Sequence, residues 1–152
     1  VPVALFVELN MLPKGQEFWF AALIIFTGAL WFARTDQETD DHWFNGFPAA
    51  WSIVVPTLLI LDANKATKQL VILFLCGLSL SKVQFPHIVR VTKFRPITLS
   101  VAFIYFVVLT WLSAQYPDGP SWVKPILVIA PLYIVGLSIW KTWFARDNHQ
   151  SM

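Results

Sequence analysis

Apolar residues fall in five long stretches, residues 17–34, 47–65, 68–85, 97–116 and 122–144. A hydrocarbon layer of roughly 30 Å takes about 20 helical residues to cross, and each stretch approaches that length once its interfacial ends are counted. Residues 1–12 are apolar except for Glu8 and Asn10 and stop at Pro13-Lys14-Gly15, which suits the tail of a further helix that begins upstream. The pattern therefore predicts an all-α, polytopic transmembrane bundle with five full spans plus the end of a sixth, in one membrane-embedded unit over residues 1–152. Asn45-Gly46-Phe47-Pro48 and Pro117-Asp118-Gly119-Pro120 supply turn signals between stretches, while Pro56, Pro125 and Pro131 lie inside or near the start of apolar spans. In a membrane such prolines kink helices more often than they end them.

Composition agrees with this class: 57% of residues are hydrophobic and only 13% charged, more apolar surface than a soluble domain of 152 residues can hide. Eight tryptophans suit the boundary between lipid and water. A net charge of +2 gives no basic face for displacing counterions from nucleic acid, so that class of partner is not expected. The single cysteine, Cys76, excludes an intrachain disulfide and reads as a buried, inert thiol. The chain opens Val1-Pro2 without a basic n-region and cleavage site, and the expectation is that a preceding part is missing.

Laying the spans out alternately puts Arg34, Lys82, Arg90, Lys93, Arg95, Lys141 and Arg146 at one membrane face and Lys14, Lys65, Lys68 and Lys124 at the other. The excess of cations makes the first face cytoplasmic. Both unusual segments lie there. In the first, Asp36, Glu38, Asp40 and Asp41 lead into His42, Trp43 and Phe44. Were this stretch helical, Asp36 and Asp40 would share a face at i,i+4, able to hold a hard divalent cation or to face an organic one; the plainer alternative is a solvated acidic loop with an aromatic anchor. In the second, Arg90, Lys93 and Arg95 are flanked by Phe85 and Phe94, where a lipid phosphate or pyrophosphate could be met, although any positive loop attracts anionic headgroups. His87 is either a proton-transfer group or an interfacial histidine and, with no nucleophile paired with it in the sequence, reads as the latter; Glu8 is a functional candidate as a carboxylate within an apolar segment, although it is close enough to a helix end to reach water. No phosphate-cradling loop, dinucleotide fingerprint, serine-nucleophile elbow, zinc-protease signature or paired-cysteine motif is present. Any chemistry therefore falls to charged loops at the membrane face.

Three blocks carry a more specific signal: Thr35-Asp36 through Thr39-Asp40-Asp41; Phe44-Asn45-Gly46-Phe47-Pro48 with Trp51 after it; and Pro86-His87-Ile88-Val89-Arg90-Val91 followed by Arg95-Pro96. In these the chain resembles the bacterial phosphatidylcholine synthases, a branch of the CDP-alcohol phosphotransferase family, and the resemblance extends over essentially the whole chain. It implies an integral enzyme of the bacterial inner membrane that transfers the phosphatidyl group of CDP-diacylglycerol to choline, releasing CMP, with Mn2+ or Mg2+ as cofactor and a possible homodimer as its assembly. The family's Asp-Gly-x2-Ala-Arg-x8-Gly-x3-Asp-x3-Asp motif, whose carboxylates bind the metals, is absent: Asp118-Gly119 runs into Pro120, and Phe32 stands where a glycine should precede Asp36 and Asp40. No catalytic or metal-binding residue is therefore carried over. The chain is expected to begin just after the catalytic carboxylates, to bind no metal alone and to be inactive alone.

Choline is a quaternary ammonium without hydrogen-bond donors, so its site should combine aromatic faces with negative charge. Asp36, Asp40, Asp41, Trp43, Phe44 and Trp51 are the expected choline side, and Arg90, Lys93 and Arg95 the lipid-phosphate or CDP-diacylglycerol side. A reading from another class is a non-enzymatic helical membrane subunit or small transporter whose acidic loop recognises a cationic solute.

Overall fold

Helices form where the apolar stretches lie, but their lengths differ. The computed structural model describes residue 4, residues 8–91 and residues 94–145; Lys93, Arg146 and most of residues 1–7 lie outside them. The chain runs α1 (Glu17–Ala33), β1 (Trp43–Asn45), α2 (Trp51–Ile60), α3 (Lys65–Ser79), β2 (Gln84–Pro86), α4 (Arg95–Ala114) and α5 (Ile126–Ile139). A short 3-10 turn, Ser121–Val123, leads into α5, and a wider π turn, Trp140–Phe144, follows it.

Two of these units are long and apolar enough to cross a membrane: α4, with 20 residues, and the continuous run Ser121–Phe144, with 24. At 1.5 Å rise per residue α1 reaches about 25 Å, α3 about 22 Å and α2 only about 15 Å. The expectation of five full-length spans is thus met in length by two, and the largest shortfall is in α2. There the apolar stretch opens with two tight backbone turns, Ala49 N–H to the Phe47 carbonyl and Trp51 N–H to the Ala49 carbonyl, and with Ala49 at φ 51°, so the helix begins only at Trp51. The all-α expectation also omitted the short two-stranded ribbon formed by β1 and β2.

Apolar side chains cover the outside as well as the inside. Phe103 on α4 is 70% exposed and Ile129 on α5 is 63% exposed, and Phe18, Phe26, Leu70 and Phe74 stand out equally from α1 and α3. Rings and branched chains left outward on every long helix make lipid the fitting solvent. Inside, α1, α3 and the first turns of α2 share a core that includes Leu12, Ile24, Trp51, Val55, Ile72, Cys76 and Phe85. A second core joins α2, α4 and α5 through Ile60, Tyr105, Leu112 and Leu127. Hydroxyls lock these helices where apolar packing alone would let them slide: Thr57 meets Tyr105 at 2.6 Å between α2 and α4, and Thr98 meets Tyr133 at 2.9 Å between α4 and α5. Cys76 is buried, with Thr27 Oγ1 3.4 Å from its sulfur, in keeping with a packing role.

Helix ends sort to two sides. Asn64 caps α3 by accepting from the Thr67 N–H at 2.8 Å, and beside it Lys65 Nζ donates to the Leu12 carbonyl at 3.0 Å. The other side gathers the C-terminal ends of α1, α3 and α5 with the ribbon. The Arg34 guanidinium donates to the carbonyls of Ser79 (3.3 Å) and Ser81 (3.0 Å), fastening the end of α1 to the negative end of α3. Gln37 closes α1 by donating its amide to the carbonyls of Trp31 and Phe32, two of the four that a helix end leaves without partners.

Candidate functional site

The two charged segments, distant in sequence, are one structure. Strands β1 and β2 pair antiparallel in the register Trp43↔Pro86, Phe44↔Phe85 and Asn45↔Gln84. Gly46 makes this possible: its φ is +84°, its N–H donates to Val83 at 2.8 Å, and a Cβ there would lie 2.5 Å from the Ser79 carbonyl oxygen. The chain can pass so close to the end of α3 only without a side chain.

The acidic run is a tight turn, not a helix. Thr39 and Trp43 close it with a backbone bond of 2.8 Å, and His42 takes the left-handed conformation at φ 65°. Asp36 and Asp40 therefore do not share a helical face, and the i,i+4 pair considered for a hard cation is not formed. Asp36 is instead held by both arms of the Arg34 guanidinium at 2.9 and 3.0 Å. Asp41 lies 2.6 Å from Lys141, which is 6% exposed, and accepts from the Thr39 hydroxyl at 2.6 Å. Asp40 projects exposed from the turn.

Glu38 is the bridge between the segments. One of its carboxylate oxygens meets His42 Nδ1 at 2.9 Å, and the other lies 3.6 Å from Arg90 of the second segment. The His87 backbone N–H donates to the His42 carbonyl at 3.2 Å, and the His87 ring stacks on Phe44 at 4.9 Å. His87 Nδ1 is buried with no hydrogen-bond partner among the described residues. Arg95 opens α4, exposed, and makes no ion pair among the described residues.

The expected aromatic residues divide. Phe44 lies in the ribbon, half-buried between Trp31 and His87. Trp43 is buried beneath it, with the Lys141 ammonium 5.8 Å from the centre of its ring, so this face already has a cation of the protein's own. Trp51 sits in the helical core against Phe47.

Sequence reasoning passed over Glu38, His42 and Lys141 as site residues and read His87 as merely interfacial. Lys141 carried no signal, because its link to the acidic turn spans most of the chain. For Glu38 and His42 the i,i+4 spacing was visible, but Arg90 could be joined to them only through the strand register.

Electrostatics follow from these contacts. The Arg34 guanidinium holds the Asp36 carboxyl below its ordinary range, and the bond to His42 does the same for Glu38. For Asp41 burial pushes upward, but the bonds from Lys141 and Thr39 outweigh it and the net shift is downward. At neutral pH Asp36, Glu38 and Asp41 are thus ionised, each beside a basic group of the protein's own. It does not fit a divalent metal: among the described residues no group of three or more His, Cys, Asp or Glu side chains converges.

No family model and no solved structure matches the chain. Curated proteins do. The chain is 28% identical over 138 residues to a phosphatidylcholine synthase of Rhizobium johnstonii, covering 90% of this chain and 57% of that protein. Against the phosphatidylcholine synthase of Pseudomonas aeruginosa it is 26% identical over 147 residues, covering 95% of this chain and 62% of the relative. The protein of that name in Borreliella burgdorferi is 23% identical over 150 residues, with 97% and 64% covered. Similarity therefore runs through nearly all of this chain, as the resemblance read from the charged segments implied. The chain spans about 57% of the length of the first of these relatives.

Proposed function

We propose that this chain forms part of an integral membrane enzyme of phospholipid synthesis that transfers the phosphatidyl group of CDP-diacylglycerol to choline, giving phosphatidylcholine and CMP. The observation that carries the reading is the β1–β2 ribbon, which sets an acidic, aromatic turn beside a basic segment at one end of a helical bundle whose outside suits lipid. A transferase joining a cationic alcohol to an anionic lipid needs both kinds of surface within reach of each other at the membrane face. Asp40 and Phe44 are the accessible members of the choline side. Asp36 and Asp41 add charge, and Trp43 supports the turn from beneath, while Trp51 lies in the helical core behind Phe47. Arg90 and Arg95 form the side that meets the lipid phosphate or nucleotide.

The same reading makes α1, α2 and α3 part of the membrane-embedded bundle beside α4 and α5, with the ribbon facing the cytoplasm and the bacterial inner membrane as its compartment. Among the described residues no group of three or more metal-ligating side chains converges. The Mn2+ or Mg2+ that such a transfer uses would supply charge neutralisation of the pyrophosphate from carboxylates in the part of the relatives' length that this chain does not span.

The test is a transfer assay with CDP-diacylglycerol, choline and Mn2+, run on this chain in detergent and on the chain joined to the remaining length of a relative. Product from the joined form alone is the expected result. Absence of product from both, in a joined form shown to be folded, removes the reading.

A further inference from the structure

Phe44 pairs across the acidic turn with Glu38 as well as across the ribbon with Phe85. Two backbone bonds flank the first pair, from the Thr39 N–H to the Trp43 carbonyl (2.8 Å) and from the Asn45 N–H to the Gln37 carbonyl (2.9 Å). That pattern marks the non-hydrogen-bonded kind of pair, in which opposed side chains leave the same face at their closest spacing. A carboxylate is thereby set beside an aromatic ring, the two components that hold a quaternary ammonium.

The carboxylates of the run are unequally committed. Asp36 is gripped by both arms of Arg34 at 2.9 and 3.0 Å, and Asp41 lies 2.6 Å from Lys141. Glu38 has one oxygen 2.9 Å from His42 Nδ1, which orients it, while the other lies 3.6 Å from Arg90. Both ends of this longer contact reach water, with 32% of the Glu38 side chain and 59% of the Arg90 side chain exposed. An exposed pair at that distance is weak, and a guanidinium finds a better partner in a phosphate that it can grip with two parallel bonds.

We propose that Glu38 couples the two substrate sides: Arg90 covers its carboxylate while the lipid side is empty, and a diphosphate that draws Arg90 away leaves Glu38, still held by His42, to receive the choline ammonium against Phe44. The inference rests on the two sides assigned under the proposed function and adds their coupling. By linkage the effect is reciprocal, so choline at Glu38 frees Arg90 for the diphosphate by the same factor.

The test is a titration of choline into the isotopically labelled 152-residue chain in detergent at neutral pH, followed at the Phe44 amide, without and with inorganic pyrophosphate. Pyrophosphate should tighten choline roughly two- to fivefold, the range for one exposed ion pair. Glu38→Gln should weaken choline and remove the pyrophosphate effect, which separates coupling through Glu38 from direct attraction between the two ligands. Arg90→Gln should tighten choline in the absence of pyrophosphate, a gain that a merely structural role for the pair would not give. A Phe44 amide that choline leaves unmoved, a choline affinity indifferent to pyrophosphate, a pyrophosphate effect that survives Glu38→Gln, or a choline affinity that Arg90→Gln does not raise each overturns the proposal. No turnover is needed, so the two readings fail separately. Coupled binding without product from the joined form keeps the coupling and removes phosphatidyl transfer, and product with uncoupled binding does the reverse.

Discussion

The Lys141 ammonium lies 2.6 Å from a carboxylate oxygen of Asp41, tying the turn that carries the acidic run to the far end of the last helix. The two members are unequally placed: the side chain of Lys141 is 7% exposed and that of Asp41 is 41% exposed. Asp41→Asn therefore takes the carboxylate from a buried ammonium and should destabilise by about 2 kcal/mol, below the 3–5 typical of fully buried pairs because solvent reaches one partner. Lys141→Met leaves a carboxylate that can turn to water and should cost less than about 1 kcal/mol. Unfolding of both variants in a mixed detergent titration checks the order, which a simple surface pair would not show.

Gly46 is the point where the ribbon crosses the end of α3. Gly46→Ala combines a left-handed backbone with a Cβ 2.5 Å from a carbonyl oxygen that cannot rotate away, and should destabilise by about 2–4 kcal/mol. Gly28→Ala, where the added carbon meets nothing within 4 Å, should be close to neutral in the same assay.

Acidification should loosen the ribbon before the helices. Asp36, Glu38 and Asp41 all titrate below their ordinary values in the folded chain. Their contribution to stability is thus fully present above the unfolded carboxylate range of about 4 and is lost as pH falls through the lower folded values. Amide exchange at Thr39, Trp43 and Asn45 should accelerate below about pH 4 while α4 remains protected. Asp36→Asn together with Glu38→Gln should flatten that dependence.

Much of the helical content was legible because long apolar stretches have few alternatives in lipid. Their lengths were less so. Hydropathy does not distinguish the tightly turned residues before Trp51 from the helix after it, and that is where α2 became short. The charged segments were legible as candidates one at a time, while their union was not, since it depends on the register Phe44↔Phe85 and on the bare backbone of Gly46. Asp36 illustrates the cost of reading spacing alone: its i,i+4 relation to Asp40 is present in the sequence, yet Arg34 two residues away holds it more directly.

Lipid should touch α4 and α5 on the faces left outward. Spin labels at Phe103, Ile129 and Leu132 should relax strongly with lipid-dissolved oxygen, whereas labels at Leu112 and Leu127, each 1% exposed, should not. Uniform relaxation at all five positions would argue against the packing of these helices.

Kinetics of Asp40→Asn and Arg90→Ala, placed in an active form that joins this chain to the remaining length of a relative, probe the two sides of the ribbon separately. If the ribbon brings an alcohol side and a lipid-phosphate side together, Asp40→Asn should raise KM for choline, and Arg90→Ala should raise KM for CDP-diacylglycerol, each by about tenfold, the scale of one charge-assisted interaction with substrate. Unchanged kcat and KM for both substrates in both variants would contradict it.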